Sequence, residues 1–283
     1  SLHDALPISL ELLGVENTLI GFPNTDFISS PKTRKRIDAG KIKEVGTNET
    51  LNTEILIDMA PDAIVSFGLN NSNPTLDNLE KSGLKVLLNG DWNEQSPLGK
   101  AEWIKFFGAL YGLDAKAKTI FSTIEKEYQT TLALAQKAQQ KPTVLSGAMY
   151  QDQWFVPQGE SWMALFLKEA QSNYLWADTK GTGSLSLPFE TILEKAQKAE
   201  FWIAPGDFSS LQEMNNSNPH YAKFKAFQNK KVYSYAIHKG AKGGILFFEW
   251  SSARPDWVLK DLIAIFHPEL VPQYTPHFFE KLN

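Results

Sequence analysis

The sequence predicts an α/β protein whose two lobes carry parallel-rich sheets and are joined by one long helix. Three observations carry that reading. Short apolar runs alternate with amphipathic helical stretches on both sides of the chain's middle, the pattern of parallel α/β units. The middle itself, from Ala101 to about Gln139, has almost no strand signal. The length, 283 residues, suits about two domains at roughly 150 residues each. The pattern divides the chain into a first lobe over 1–113, a helix over 114–140 and a second lobe over 141–283.

The elements follow in order. Leu10 to Leu13 reads as a helix ended by Gly14, and Thr18 to Phe22 as a strand. The opening Ser1-Leu2-His3-Asp4 has no methionine or signal sequence, so a first strand and any export signal are expected upstream. Residues 52–60 form a helix, because Leu51, Ile55 and Met59 recur at intervals of four on one face. Pro61-Asp62 ends it and 63–68 is a strand. A helix over 76–82 stops at Gly83, and 85–88 is the next strand.

Asp114 caps a helix that runs to Gln139. Its apolar positions Ala117, Phe121, Ile124, Tyr128, Leu132 and Ala135 step by three or four, so one stripe is buried. About 25 residues at 1.5 Å each reach about 37 Å, the length of a rigid strut. Lys141-Pro142 ends it. In the second lobe, strands are expected at 143–146, 201–204 and 231–235, and helices at 161–170, 188–198, 219–227 and 255–266.

Composition excludes several classes. With 42% apolar and 21% charged residues the chain is not a disordered one. A net charge of -4 gives no basic footprint for nucleic acid. No apolar run reaches the 18 residues of a bilayer-spanning helix. Zero cysteines remove disulfides, thiol nucleophiles and thiolate metal sites, and the five histidines are scattered, so no metal site is expected. Enzyme motifs are missing too. There is no GxGxxG, no GxxxxGK[ST] and no HExxH. Gly159-Glu160-Ser161-Trp162-Met163 begins like a nucleophile elbow but lacks its last glycine, and Ser161 reads as a helix cap.

Several stretches then point to a family: Val45-Gly46-Thr47-Asn48-Glu49-Thr50-Leu51-Asn52-Thr53-Glu54, Pro61-Asp62-Ala63-Ile64-Val65, Ser82-Gly83-Leu84-Lys85-Val86, Pro97 to Trp103, and Ala253-Arg254-Pro255-Asp256. On these the chain resembles the substrate-binding proteins of ABC importers. The match is to the group with one backbone helix, which carries ferric siderophores, haem or cobalamin. The resemblance implies Rossmann-like lobes with a ligand cleft between them and no catalysis. It implies a periplasmic or cell-surface lipoprotein, monomeric, whose partner is an importer permease dimer with its ATPase. There would be no intrinsic cofactor. The cargo expected first is a ferric siderophore, then cobalamin, then haem.

Within the resemblance, Glu54 matches a first-lobe glutamate that meets an arginine of the permease, and Glu190 its second-lobe counterpart. A faint internal echo supports the pairing: Glu54 and Glu190 each stand near the start of a helix that feeds a strand. Each acid alone is better explained by the helix dipole, and the docking reading rests on the two standing in matching places. Flat chelates are gripped by aromatic faces and a few polar groups. Eight tryptophans is a high count, and six of them follow residue 142. The ligand-binding candidates are Trp92, Tyr150 and Trp154 in stretches after strands, Trp250 in a glycine- and phenylalanine-rich stretch, and Asn48 and Asn70 in loops. Trp103, Trp202 and Trp257 read as packing. Arg254 suits either an anionic cargo or an ion pair with Asp256. The alternatives from other classes are an α/β enzyme of the chelatase or glycosyltransferase type and a ligand sensor without a permease.

Overall fold

The computed structural model describes residues 5–47, 50–67 and 73–283. In the first part of the chain the elements are α1 (Ala5–Leu13), β1 (Gly21–Phe22), α2 (Pro31–Asp38), β2 (Lys43–Glu44), α3 (Thr53–Met59), β3 (Ile64–Ser66), α4 (Pro74–Lys81), β4 (Val86–Leu88), α5 (Pro97–Glu102) and α6 (Ile104–Leu110). The long helix α7 is Asp114–Ala135. There follow β5 (Thr143–Ser146), β6 (Ala148–Tyr150), β7 (Gln153–Pro157), α8 (Trp162–Glu169), β8 (Asn173–Tyr174), β9 (Ser184–Leu187) and α9 (Phe189–Ala196). The last are β10 (Phe201–Ile203), α10 (Leu211–Ser217), α11 (Lys225–Gln228), β11 (Val232–Ser234), α12 (Leu246–Trp250), α13 (Pro255–Phe266) and β12 (Glu280–Lys281).

Contacts group the chain into two units: Ser1–Glu94, Gly99–Phe121 and Lys239–Ala253 in one, Gln95–Leu98, Ser122–His238 and Arg254–Asn283 in the other. In the first unit, β1 pairs parallel with β2 and β3 with β4. Leu56, Leu76, Leu79 and Val45 form a buried cluster. Leu51, Ile55 and Met59 pack on it, the four-residue stripe visible in the sequence. Asn52 caps α3 by accepting the Ile55 amide at 3.1 Å. Only Gly21–Phe22 of the expected strand 18–22 is extended. Thr18 lies in a 3-10 turn instead, because its hydroxyl and amide both donate to the Val15 carbonyl, at 2.7 and 3.0 Å.

The sequence pattern carries the second lobe unbroken from 141 to 283, yet Lys239–Ala253 groups with the first unit. A buried carboxylate holds it there. Glu249 accepts the amides of Ser29 and Ser30, at 3.0 and 3.2 Å, at the start of α2. Ser29 Oγ donates to the Gly244 carbonyl at 2.9 Å. A Cβ at Gly244 would stand 2.0 Å from the Phe27 carbonyl oxygen, so only glycine allows this approach.

Helix α7 has 22 residues, about 33 Å long at 1.5 Å each. Ala117, Phe121, Ile124, Tyr128 and Ala135 form its buried stripe. In the second unit Tyr128 donates a hydrogen bond to the Glu169 carboxylate of α8.

The second unit is built on a five-stranded sheet of order β12-β11-β10-β5-β8. Its pairs are parallel except the terminal β11–β12. Strand β5 and helix α13 have the limits read from the sequence. A second, antiparallel sheet of order β6-β7-β9 was not expected. Residues 219–227 are not one helix: Phe224, extended at φ -84 and ψ 132, separates a 3-10 turn from α11.

Candidate functional site

In the first unit the chain after β4 turns back on itself and borders an open recess of about 520 Å³. Leu88 and Asn89 form its start, Trp92, Asn93 and Glu94 its side, and Trp103 its far wall. Gly90 makes the turn passable. A Cβ there would lie 3.2 Å from the Trp103 ring, so the indole rests across bare backbone. Trp103 Nε1 donates to Glu94 Oε1 at 3.1 Å, which ties the two walls together.

The turn is held from behind. Lys100 Nζ donates to the carbonyls of Asp91 and Trp92, at 2.8 and 3.3 Å. Asn89, 2% exposed, accepts the Asp91 amide at 3.1 Å. Burial pushes the Asp91 carboxyl above its ordinary value and the Lys100 ammonium below its own, while their mutual attraction opposes both shifts. The ammonium is therefore spent on structure. What the recess presents is two indoles, amide side chains and the Glu94 carboxylate.

Trp92, singled out from sequence, belongs to this recess. Glu94, Asn93 and Lys100 were not foreseen, and Trp103 was read as packing alone. Glu94 could have been found two residues past Trp92 in the same loop. Trp103 could not, because only the helix α5 brings it back.

The second-unit candidates divide. Tyr150 ends β6 and is 68% exposed, beside a turn whose Gln151 has φ 54. Trp154 is corrected from ligand wall to core: it is 0% exposed. Strand β7 alternates, with Gln153 and Phe155 outward and Trp154 and Val156 inward. The indole packs on Trp202, Phe224, Tyr221 and Phe189 at centroid distances of 5.0, 5.5, 5.8 and 6.4 Å.

Arg254 is settled as an ion pair. Its Nε and Nη2 reach Asp256 at 2.9 and 2.5 Å, and its guanidinium lies 3.8 Å from the Trp257 ring centroid. His277 also stacks on Trp257, at 4.1 Å. A guanidinium so neutralised is not offered to an anionic cargo. Trp250 ends α12 half-buried in the first unit. Asn48 and Asn70 lie outside the described residues.

Glu54 is exposed in the first turn of α3, and Glu190 is exposed in the first turn of α9. Each helix carries a second exposed acid one turn on, Asp58 and Glu194. Like charges at i,i+4 cost a helix about 0.2–0.5 kcal/mol. The dipole at each helix N-terminus favours the first acid by about 0.3–1 kcal/mol, but it gives no such reason for the second acid one turn on.

An uncharacterized lipoprotein of Methanocaldococcus jannaschii is 28% identical over 252 residues, 88% of this chain and 58% of that protein. The chain thus spans less than two thirds of that relative's length. Among solved structures, a possible iron-binding (periplasmic solute-binding) protein from Staphylococcus epidermidis superposes with a TM-score of 0.72 at 19% identity, covering 93% of this chain and 96% of its own. A periplasmic haem-binding protein from Pseudomonas aeruginosa gives 0.71 at 19%, covering 99% and 95%. At that identity these two show the fold: α/β lobes with parallel-rich sheets and one long helix. Residues 8–236 match the sequence model of the family described as periplasmic binding protein. That match covers most of the chain and displaces the enzyme alternatives. The chain belongs to the periplasmic binding protein family, whose members bind solutes and do not transform them.

Proposed function

We propose that this chain is an extracytoplasmic receptor that captures a metal chelate and delivers it to an ABC importer. The observation that carries the reading is the family match over residues 8–236. The printed descriptions of the fold neighbours, iron-binding and haem-binding, support a chelated metal as the cargo class. A ferric siderophore is the first expectation, with cobalamin second and haem third. The lipoprotein relative supports a periplasmic or cell-surface location. The receptor works as a monomer that meets a permease dimer and its ATPase.

Recognition by the permease goes through Glu54 on one unit and Glu190 on the other. Both carboxylates are open to solvent, and Asp58 and Glu194 reinforce each with a second negative charge. Such acid-tipped helices suit basic pockets, where charge complementarity sets docking rate and specificity. The test is the double charge reversal Glu54→Lys, Glu190→Lys in cells that take up the chelate through this receptor. Uptake is expected to be lost while chelate affinity of the purified protein stays within about twofold of the parent, since neither acid touches the recess. Normal uptake by the double variant removes the docking assignment. A parent chain that binds chelate but supports no uptake is a sensor instead.

A further inference from the structure

The recess beside Trp92 carries a charge that bears on which chelate is captured, an inference that rests on the receptor reading above. Glu94 stands on its wall with one oxygen bound to Trp103 Nε1 at 3.1 Å. Among the described residues no basic side chain lies within ion-pair distance of Glu94. Lys100 acts on it by longer-range attraction and is committed to two backbone carbonyls. Asp91 balances Lys100 from inside the turn, 8% exposed. The local sum is one net negative charge, and the group that carries it lines the recess together with Trp92 and Trp103.

A carboxylate beside aromatic rings attracts a cation through its full charge, and a ring face that the cation reaches adds its quadrupole. The carboxylate repels an anion. In the second unit Arg254, the cation with the best claim to an anionic cargo, is already paired with Asp256. We infer that the recess lined by Trp92, Glu94 and Trp103 is a subsite for a positively charged arm of the cargo, an ammonium group carried by a ferric chelate. The indoles take its methylene stem and Glu94 takes its charge.

The test compares two probes with the same iron centre: a linear ferric trihydroxamate ending in a free ammonium group, and its N-acetylated, uncharged form. Affinities are measured by quenching of tryptophan fluorescence, with haem and cobalamin titrated alongside. The ammonium form is expected to bind the parent chain about tenfold tighter than the acetylated form. Glu94→Gln keeps an oxygen for Trp103 Nε1 and removes the charge. In that variant the preference should vanish while the acetylated form binds as before, with the melting temperature unchanged. Equal binding of the two forms by the parent, or a preference that survives in Glu94→Gln, overturns the cation subsite and leaves the receptor reading standing. Capture of haem or cobalamin in place of both hydroxamates does the same, since neither carries a cationic arm. Capture of none of the four overturns the receptor reading itself and the subsite with it.

Discussion

Trp92 and Trp154 stand in similar places in the sequence, each a few residues beyond a short parallel strand, and the fold puts them to opposite uses. Trp92 sits half-buried in a 3-10 turn and lines a recess. Trp154 sits in a strand, 0% exposed, at the centre of an aromatic cluster. The difference lies in what the chain does between strand and tryptophan. After β4 it is pinned outward by Lys100 and Asn89. After β5 it turns at Gln151 and folds back as β7, and strand alternation sends the indole inward. Closeness to the end of a strand does not by itself make an aromatic residue a ligand wall.

The largest effect that tests this contrast is in stability. Trp154→Ala should cost the second unit about 3–5 kcal/mol, as removal of a large buried ring does. Trp92→Ala should change stability by less than about 1 kcal/mol, the range of positions away from the core, and should weaken cargo binding instead. Denaturant titration of both variants beside chelate titration separates the two. Equal stability losses would erase the distinction between recess and core.

A smaller effect sharpens it at Arg254, the other candidate that the protein's own groups consume. His277 stacks on the same indole, and burial lowers its proton affinity below the ordinary histidine value. Asp261 opposes that shift, Arg254 adds to it, Asp256 opposes it and Lys260 adds to it. The folded state therefore binds this proton less well than the unfolded chain does. Stability from this group is intact above the ordinary value of about 6.5 and falls as pH drops through it. Unfolding titrations between pH 7 and 5 should show that loss, and His277→Phe should flatten the slope. An unchanged slope would remove His277 as its source.

How much of this was legible beforehand depends on the range of the interaction. Local signals read well. Asp114 begins α7, Thr143–Ser146 is β5, Pro255–Phe266 is α13, and the stripe Leu51, Ile55, Met59 packs where its period places it. The hairpin around Gln151 was missed because Gln-Trp-Phe-Val-Pro alternates imperfectly: the outward Phe155 is apolar and hides the period of two. Contacts distant in sequence left no trace. The bond from Ser29 to Glu249 spans 220 positions and moves Lys239–Ala253 into the first unit. For the recess, Trp92 was visible as an aromatic in a loop. Its partners Glu94 and Trp103 become a wall only once α5 has turned the chain back.

The most direct measurement is native mass spectrometry of the folded chain against ferric siderophores, cobalamin and haem together. The receptor reading predicts retention of one chelate, a ferric siderophore, at one-to-one stoichiometry. A chain that melts cooperatively and retains no chelate would contradict it.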